Sequence, residues 1–232
     1  MTIALLNNRL RLHANSPRPP EDALWLAASI PTLPQGGRVL DAACGSGVAG
    51  LALLIRQSYL ALTALDISPD LTALAANNAA LNSLALTPAT ANILAYKPQQ
   101  PFDAVLCNPP FHTQEQGHAT PNPQKSQAHG LAHAAIQPWL TALLACTASA
   151  GTLHLITHTH WQPELETFAQ KHTLALTLQP LQTAQTRPPK RLLAILARAS
   201  NFTITALPAI PAYKPTLRHA ILHEAQPLPT PA

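Results

Sequence analysis

The stretch "RVLDAACGSGVAGLALLIRQ", residues 38–57, constrains the fold of this chain more than any other. An apolar run ends in Asp41, turns through Gly45 and Gly47, and continues as an apolar helical pattern from Val48. Strand, glycine turn and helix in so short a span open a βαβ unit. The alternation then repeats. "LALTALDI" (60–67) reads as a strand, and "SPDLTALAANNAALNS" as a helix with Ser68 as N-cap and Pro69 at the first helical position. "LTPATANIL" is a weak third strand and "FDAVLC" (102–107) a stronger fourth. Upstream, "EDALWLAAS" (21–29) predicts a helix whose first-turn acids suit its dipole.

Residues 112–130 are polar and read as a long loop over the strand ends. "LAHAAIQPWLTALLACTA" predicts a helix kinked at Pro138. "GTLHLITHT" is a fifth strand, "PELETFAQKH" a helix, and "TLALTLQPL" and "RLLAILARAS" a closing pair of strands. From Asn201 the chain is proline-rich, with room for one extra strand. The expected fold is α/β: a doubly wound, seven-stranded, mostly parallel sheet with an antiparallel C-terminal edge. Residues 1–36 read as an extension whose short helix packs on the domain, 37–200 as the domain, and 201–232 as its C-terminal extension. In such sheets a ligand lies outside the carboxyl ends of the strands, at the switch point. "DAACGSG" and "NPPF" (108–111) both fall there.

Two ligand classes compete for the glycine turn. "GSGVAG" (Gly45, Gly47, Gly50) matches the dinucleotide pattern G-x-G-x-x-G, with Asp66 at the distance of a ribose contact. That keeps an NAD-dependent oxidoreductase in view. The other class is the S-adenosylmethionine loop, an acid followed by x-G/A-x-G-x-G. Asp41 separates the two, because a carboxylate there repels a pyrophosphate but favours a ligand carrying an ammonium and a sulfonium. In this reading Asp41, Ala43, Gly45 and Gly47 line the cofactor and the helix start offers N–H groups to its carboxylate. Asp66 and Ile67 meet the ribose side, and Asn92 and Ile93 flank the adenine.

The tetrapeptide Asn108-Pro109-Pro110-Phe111 is a stiff, extended stub. A residue before proline leaves the α region, and proline fixes its own φ. The side-chain oxygen of Asn108 and the carbonyl of Pro109 can then face one –NH2 group. Two such hydrogen bonds draw an amine nitrogen toward tetrahedral geometry and localise its lone pair for in-line attack on a methyl group. Phe111 offers a face for a flat substrate.

At this point the order "VLDAACGSG", "ALDIS", "FDAVLCNPPF" resembles the amino-directed methyltransferases of the class I Rossmann-like fold. These carry an (N/D)-P-P-(F/Y/W) tetrapeptide. Within them the chain is most similar to the small-domain branch that includes bacterial tRNA adenine-N6 methyltransferases. "NNAALN" resembles that branch's second helix, and "PPKRLLAILA" and "ILHE" its closing strands. The resemblance implies S-adenosylmethionine at Asp41, Gly45, Gly47, Asp66 and Asn92, the target amine at Asn108–Phe111, and tRNA as partner to a monomer. Two positions depart from the family pattern: Ala43 replaces a frequent glycine, and Asn92 stands where an acid is usual, its amide oxygen still able to accept.

Three other readings remain. A protein glutamine-N5 methyltransferase acting on release factors shares the tetrapeptide, but usually adds a helical domain before the glycine loop and often ends the tetrapeptide in tyrosine. A dehydrogenase and a non-catalytic RNA-binding relic are more remote.

Charge bears on the partner. Only 10% of the 232 residues are charged, yet net charge is +4 and the pI about 9.2, with basic residues gathered toward both ends. That suits a polyanion such as RNA. Arg18, His112, Lys190 and Arg191 are the candidate RNA contacts, with His118 also in the loop beside the tetrapeptide. The odd, widely spaced Cys44, Cys107 and Cys146 read as buried fillers, Cys107 being a conceivable nucleophile. His129 with His133, and His154 with His158 and His160, lack the carboxylate or thiolate that would close a zinc site, so no metal is expected. With no long apolar run and no signal-peptide pattern at the start, a cytosolic enzyme away from membranes is expected.

Overall fold

The computed structural model describes residues 2–17, 21–109 and 136–229. Its frame is a sheet of eight strands. These are β3 (Arg38–Ala42), β4 (Ala61–Asp66), β5 (Thr87–Thr90), β6 (Phe102–Cys107), β7 (Thr147–His158), β8 (Leu174–Leu181), β9 (Arg191–Arg198) and β10 (Thr203–Ala206). They lie in the order β10-β8-β9-β7-β6-β3-β4-β5. The chain starts in the middle at β3, steps outward through β4 and β5, then returns to β6 on the other side. β3 and β6 therefore flank the switch point, where the connections on either side diverge and leave a crevice.

The antiparallel element is not the edge that the sequence suggested. β9 inserts between β7 and β8 and runs against both, while β10 pairs parallel to β8 outside it. The eighth strand comes from the proline-rich tail, where Thr203, Ile204 and Thr205 are β-prone.

The central strands β3, β6 and β9 are largely buried on both faces, so they carry continuous apolar runs instead of alternation. Val39, Ala104, Leu106, Ile156 and Leu193 face one layer; Leu40, Val105, Cys107, Leu153, Leu155 and Leu192 face the other. On the first face lie α1 (Glu21–Ser29) and α2 (Val48–Arg56), with α3 (Pro69–Leu81) contributing Ala79. On the second lie α4 (Ile136–Cys146) and α5 (Gln162–Lys171), with Trp139, Leu140, Leu143, Leu165 and Phe168 buried.

Three elements differ from the sequence reading, which took residues 221–224 for a closing strand. α6 (Pro215–Leu222) packs Ile221 and Leu222 into the first layer. At the other end β1 (Thr2–Leu5) and β2 (Leu10–His13) form an antiparallel hairpin, with Leu6, Asn7 and Asn8 all at left-handed φ in its turn. The hairpin belongs to a separate two-stranded sheet and is held by side chains of α3. Asn82 mimics a strand partner for Arg11: its Oδ1 accepts from the Arg11 amide at 2.8 Å and its Nδ2 donates to the Arg11 carbonyl at 2.6 Å. One turn earlier, Asn78 Oδ1 accepts from the His13 amide at 2.8 Å.

Candidate active site

The crevice is built from the ends of β3, β4 and β6. Register places Ala42 of β3 opposite Cys107 of β6 and opposite Leu65 of β4. The residues leaving those strands, Ala43, Asn108 and Asp66, therefore start from one level on three neighbouring strands.

The glycine turn has a fixed internal logic. Ala43, Gly45 and Gly47 take positive φ of 56°, 56° and 82°. The amide of Cys44 donates to Leu65 at 3.0 Å and that of Gly47 to Cys44 at 2.8 Å, which tightens the turn. Asp41, only 2% exposed, points back under it and accepts from the Gly50 amide at 2.9 Å. A carboxylate thus caps the first turn of α2, where the macrodipole favours it. Burial pushes the Asp41 carboxyl up to about 7; the Gly50 bond opposes this and the charge of Asp66 adds to it. The third glycine of the apparent dinucleotide pattern has a packing reason. A Cβ on Gly50 would lie 2.9 Å from Asp41 Oδ2 and 2.7 Å from the Leu62 side chain.

Asp66 is anchored on both oxygens, Oδ2 accepting from the Gly45 amide and Oδ1 from the Ser68 amide, each at 3.0 Å. One lone pair on each oxygen remains for two hydroxyl donors. Ile67 beside it is 60% exposed, an unusual posture for a large aliphatic at the foot of a crevice. Asn92 is exposed, and its Oδ1 already accepts from the Leu94 amide at 3.0 Å, an Asx turn that shapes its own loop. Ile93 turns inward and is buried, while Leu94 shows its side chain to solvent.

Asn108 and Pro109 are half-buried at the end of β6. Pro110, Phe111, His112, His118, Arg18, His129 and His133 lie outside the described residues. Lys190 is exposed at the start of β9, and Arg191 beside it is already engaged, its Nε donating to Asp22 Oδ2 at 2.7 Å. Register sets Arg191 opposite His158, the last residue of β7, so this ion pair stands at the same carboxyl edge as Asn108.

Cys107 is fully buried, with its thiol pushed well up by burial and then by Asp41 and Asp66, which ends its candidacy as a nucleophile. Cys44 and Cys146 are also buried. His154 is no metal ligand: it is buried, both ring nitrogens are engaged by Ser29 and Thr152, and burial lowers its pKa to about 3. Among the described residues no cluster of three metal-ligating side chains forms, and no helix is long and apolar enough to cross a membrane.

One residue that sequence reasoning passed over stands beneath the loop. Asn78 is fully buried, accepts from the His13 amide at 2.8 Å, and donates to Ser46 O at 3.0 Å and Ser16 Oγ at 3.2 Å. Its signal was the i, i+4 spacing of Asn78 and Asn82 in "NNAALN", two polar residues on one helix face.

The donor set fits S-adenosylmethionine. A buried carboxylate held partly protonated lacks a cation, and the ligand's ammonium is one. A Cβ built on Gly45 would meet nothing within 4 Å, so open space adjoins the turn. Asp66 offers acceptors where a ribose diol needs them.

Comparisons with known proteins agree. Residues 23–124 match the methyltransferase small domain family. The chain is 39% identical over 93 residues to ribosomal RNA large subunit methyltransferase G of Ectopseudomonas mendocina. It is 38% identical over 87 residues to ribosomal RNA small subunit methyltransferase C of a Shewanella species. Each match covers 38% of this chain and 25% of the relative, so the chain spans about a quarter of the length of the relatives it matches. Among solved structures, a predicted O-methyltransferase from Agrobacterium tumefaciens superposes with a TM-score of 0.66 at 19% identity, over 85% of this chain and 94% of that one. That likeness speaks for the fold alone. The cofactor that goes with this fold, this family model and this loop is S-adenosylmethionine. The chain thus has the Rossmann-like class I methyltransferase fold, and its residues 23–124 are similar to the methyltransferase small domain family.

Proposed function

We propose that the chain is an S-adenosylmethionine-dependent N-methyltransferase acting on the exocyclic amine of an RNA base, specifically N6 of an adenine in tRNA. The observation that carries this is the juxtaposition across the switch point. Asn108-Pro109 leaves β6 at Cys107, directly opposite Ala42, from which the glycine turn departs. An amine gripped there lies beside the cofactor crevice.

The cofactor, when bound, supplies an electrophilic methyl group on a sulfonium. The chain's own residues do the rest. Asp41 faces the ammonium, Asp66 holds the ribose hydroxyls, and Ile67 covers that side of the ligand. The side-chain oxygen of Asn108 and the carbonyl of Pro109 accept from the target –NH2 and orient its lone pair. Such orientation converts a bimolecular encounter into a positioned step. No strong base is needed before attack, because the amine proton becomes acidic only as positive charge develops on nitrogen. Lys190 supplies positive charge at the rim for the RNA backbone.

A second reading keeps the chemistry and changes the RNA. The relatives reported above are named as ribosomal RNA methyltransferases, which favours rRNA as the pool to test beside tRNA. The deciding experiment incubates the protein with methyl-labelled cofactor and separate pools of tRNA, rRNA, DNA and release factor, then digests each pool to nucleosides or amino acids. Label in N6-methyladenosine from tRNA supports the specific proposal, and label in rRNA moves it to the second reading. Label in glutamine of the release factor, or in none of the pools, overturns it.

A further inference from the structure

From its geometry we infer that His158 and His160, together with Lys190 and Arg191, form a binding site for an RNA phosphodiester at the rim of the crevice. The inference rests on the RNA reading above. β7 runs three residues past Leu155, the partner of Cys107. At about 3.3 Å per residue this carries His158 roughly 10 Å outward from the level where Asn108 begins. The rim thus stands beyond the level of Asn108 on the β7 side of the crevice.

The cluster is fixed, not splayed. The Thr159 amide donates to Lys190 O at 3.1 Å, which sews the turn after β7 to the segment before β9. The His158 side chain caps that turn by accepting from the His160 amide at 3.3 Å. The two Nδ1 atoms stand 2.8 Å apart, with ring centroids 4.6 Å apart. His160 in turn lies 4.9 Å from the Trp161 ring, a face that attracts a cation.

The pair has a specific proton logic. A 2.8 Å contact between two ring nitrogens requires one hydrogen between them. The Nδ1 of His158, already an acceptor from the His160 amide, takes the acceptor role, so its Nε2 carries a hydrogen. His160 then donates from Nδ1 and leaves Nε2 as a lone pair. One added proton goes to that lone pair, and both Nε2 atoms become donors while the inner bond survives. A second proton would destroy the inner bond. The pair therefore holds one charge and offers two N–H groups, matching the two unesterified oxygens and single charge of a phosphodiester.

The surroundings set the pH window. His158 titrates below its ordinary value through burial first, then through His160, Arg191 and Lys190. Arg191 is offset by Asp22 from α1. On α5 the nearest acids in sequence are Glu164 and Glu166, the latter accepting from Gln162 at 2.8 Å. That depression keeps His158 the acceptor and leaves the added proton to His160 Nε2, where an anion facing the cluster favours it. Bound RNA thus takes up a proton, and affinity rises as pH falls.

The test measures fluorescence anisotropy of a labelled single-stranded oligoadenylate RNA at about pH 8 and about pH 6, the span over which histidine titrates. Wild type should bind about fivefold to tenfold tighter at the lower pH, as one pKa unit of coupling implies. The double variant His158→Gln/His160→Gln should lose that ratio and bind at the lower pH as wild type does at the higher. Calorimetric titration with S-adenosylhomocysteine, unchanged in the variant, shows that the crevice is folded. A variant that keeps the wild-type pH ratio overturns this site alone. Wild type that binds S-adenosylhomocysteine but no RNA at either pH overturns the RNA reading and this site with it.

Discussion

The side-chain amide of Asn78 donates to the backbone carbonyl of Ser46 at 3.0 Å, so a helix outside the cofactor crevice holds the glycine turn from beneath. The same side chain accepts from His13 and donates to Ser16, which makes the N-terminal hairpin a buttress of the loop. Both N–H groups of the amide and one lone pair of its oxygen are engaged in a site with no solvent exposure. Removing it orphans a buried N–H and a buried carbonyl, each costing about 1–3 kcal/mol.

Asn78→Ala should lower unfolding stability by about 2–4 kcal/mol. It should also weaken S-adenosylhomocysteine binding about tenfold or more, through a misplaced Ser46. Asn82→Ala, which cuts the Arg11 clamp and the bond from Nδ2 to the Asn78 carbonyl but none to the loop, should cost stability while leaving affinity within about twofold. Denaturant unfolding and calorimetry on both variants decide it, and equal affinity losses would count against the buttress.

Gly50 and Gly45 separate packing from ligand space. Gly50→Ala drives a methyl group against Asp41 and Leu62, so overpacking should cost about 1–3 kcal/mol and displace the carboxylate. Gly45→Ala meets no protein atom, and its cost in the free protein is the left-handed φ alone, about 1–2 kcal/mol. Both should lose cofactor affinity, Gly45→Ala with the smaller fall in stability. Thermal unfolding with and without S-adenosylhomocysteine distinguishes them.

Ala43 sits at φ 56°, where a Cβ is strained. Ala43→Gly should therefore stabilise the free protein by about 0.5–1 kcal/mol, the relief of strain exceeding the entropy lost by glycine. A fall in denaturation midpoint would show that the turn has adapted to alanine.

The sheet was legible because its cues are local. A strand, an acid and two glycines before an apolar helix identify the β3–α2 turn, and the Ser68-Pro69 start of α3 appears where expected, with Ser68 accepting from the Leu71 amide. The hairpin was not legible, since β2 pairs with β1 on one side and with asparagine side chains on the other, a tertiary partnership that no strand pattern announces. Leu10 and Leu12 do alternate with Arg9 and Arg11, but in so short a run the alternation carried little weight. Arg191 was read as an open cation because Asp22 lies far away in sequence. His158 and His160 were weighed only as metal ligands, and their partnership depends on a turn geometry that sequence does not supply. Asn92 illustrates a local competitor: its oxygen turns to the Leu94 amide, as asparagine side chains in loops readily do.

The Asp41 carboxyl gives a pH dependence with a definite sign. Its folded pKa, about 7, lies above the unfolded value, so the protonated form is favoured by folding. The stability it contributes is fully present below about pH 4, the unfolded carboxylate range, and is lost as pH rises through 7. The free protein should melt progressively lower between those limits. Asp41→Asn keeps the acceptor for Gly50 and removes the ionisation, so its profile should be flatter and its melting point higher above pH 7. S-adenosylhomocysteine carries the ammonium and should restore wild type most at high pH, while the variant gains little. A wild-type melting point independent of pH would remove the electrostatic basis for reading Asp41 as the partner of a cationic ligand.

If Asn108 grips the target amine as proposed, its removal should separate turnover from binding. The residue follows Cys107 at the switch point, and its oxygen is assigned to the target amine, away from the ribose and ammonium partners Asp66 and Asp41. Asn108→Ala should reduce kcat on the RNA substrate by a factor on the order of 10²–10³, the usual cost of one preorganised hydrogen bond in a transition state. The dissociation constant for S-adenosylhomocysteine should stay within about twofold, since that loss is confined to the transition state. Asn108→Asp keeps an acceptor at the same position and should retain part of the activity. Single-turnover methyl transfer with saturating cofactor is the measurement. Full activity in Asn108→Ala, or a parallel loss of cofactor affinity, would show that the end of β6 does not grip the amine.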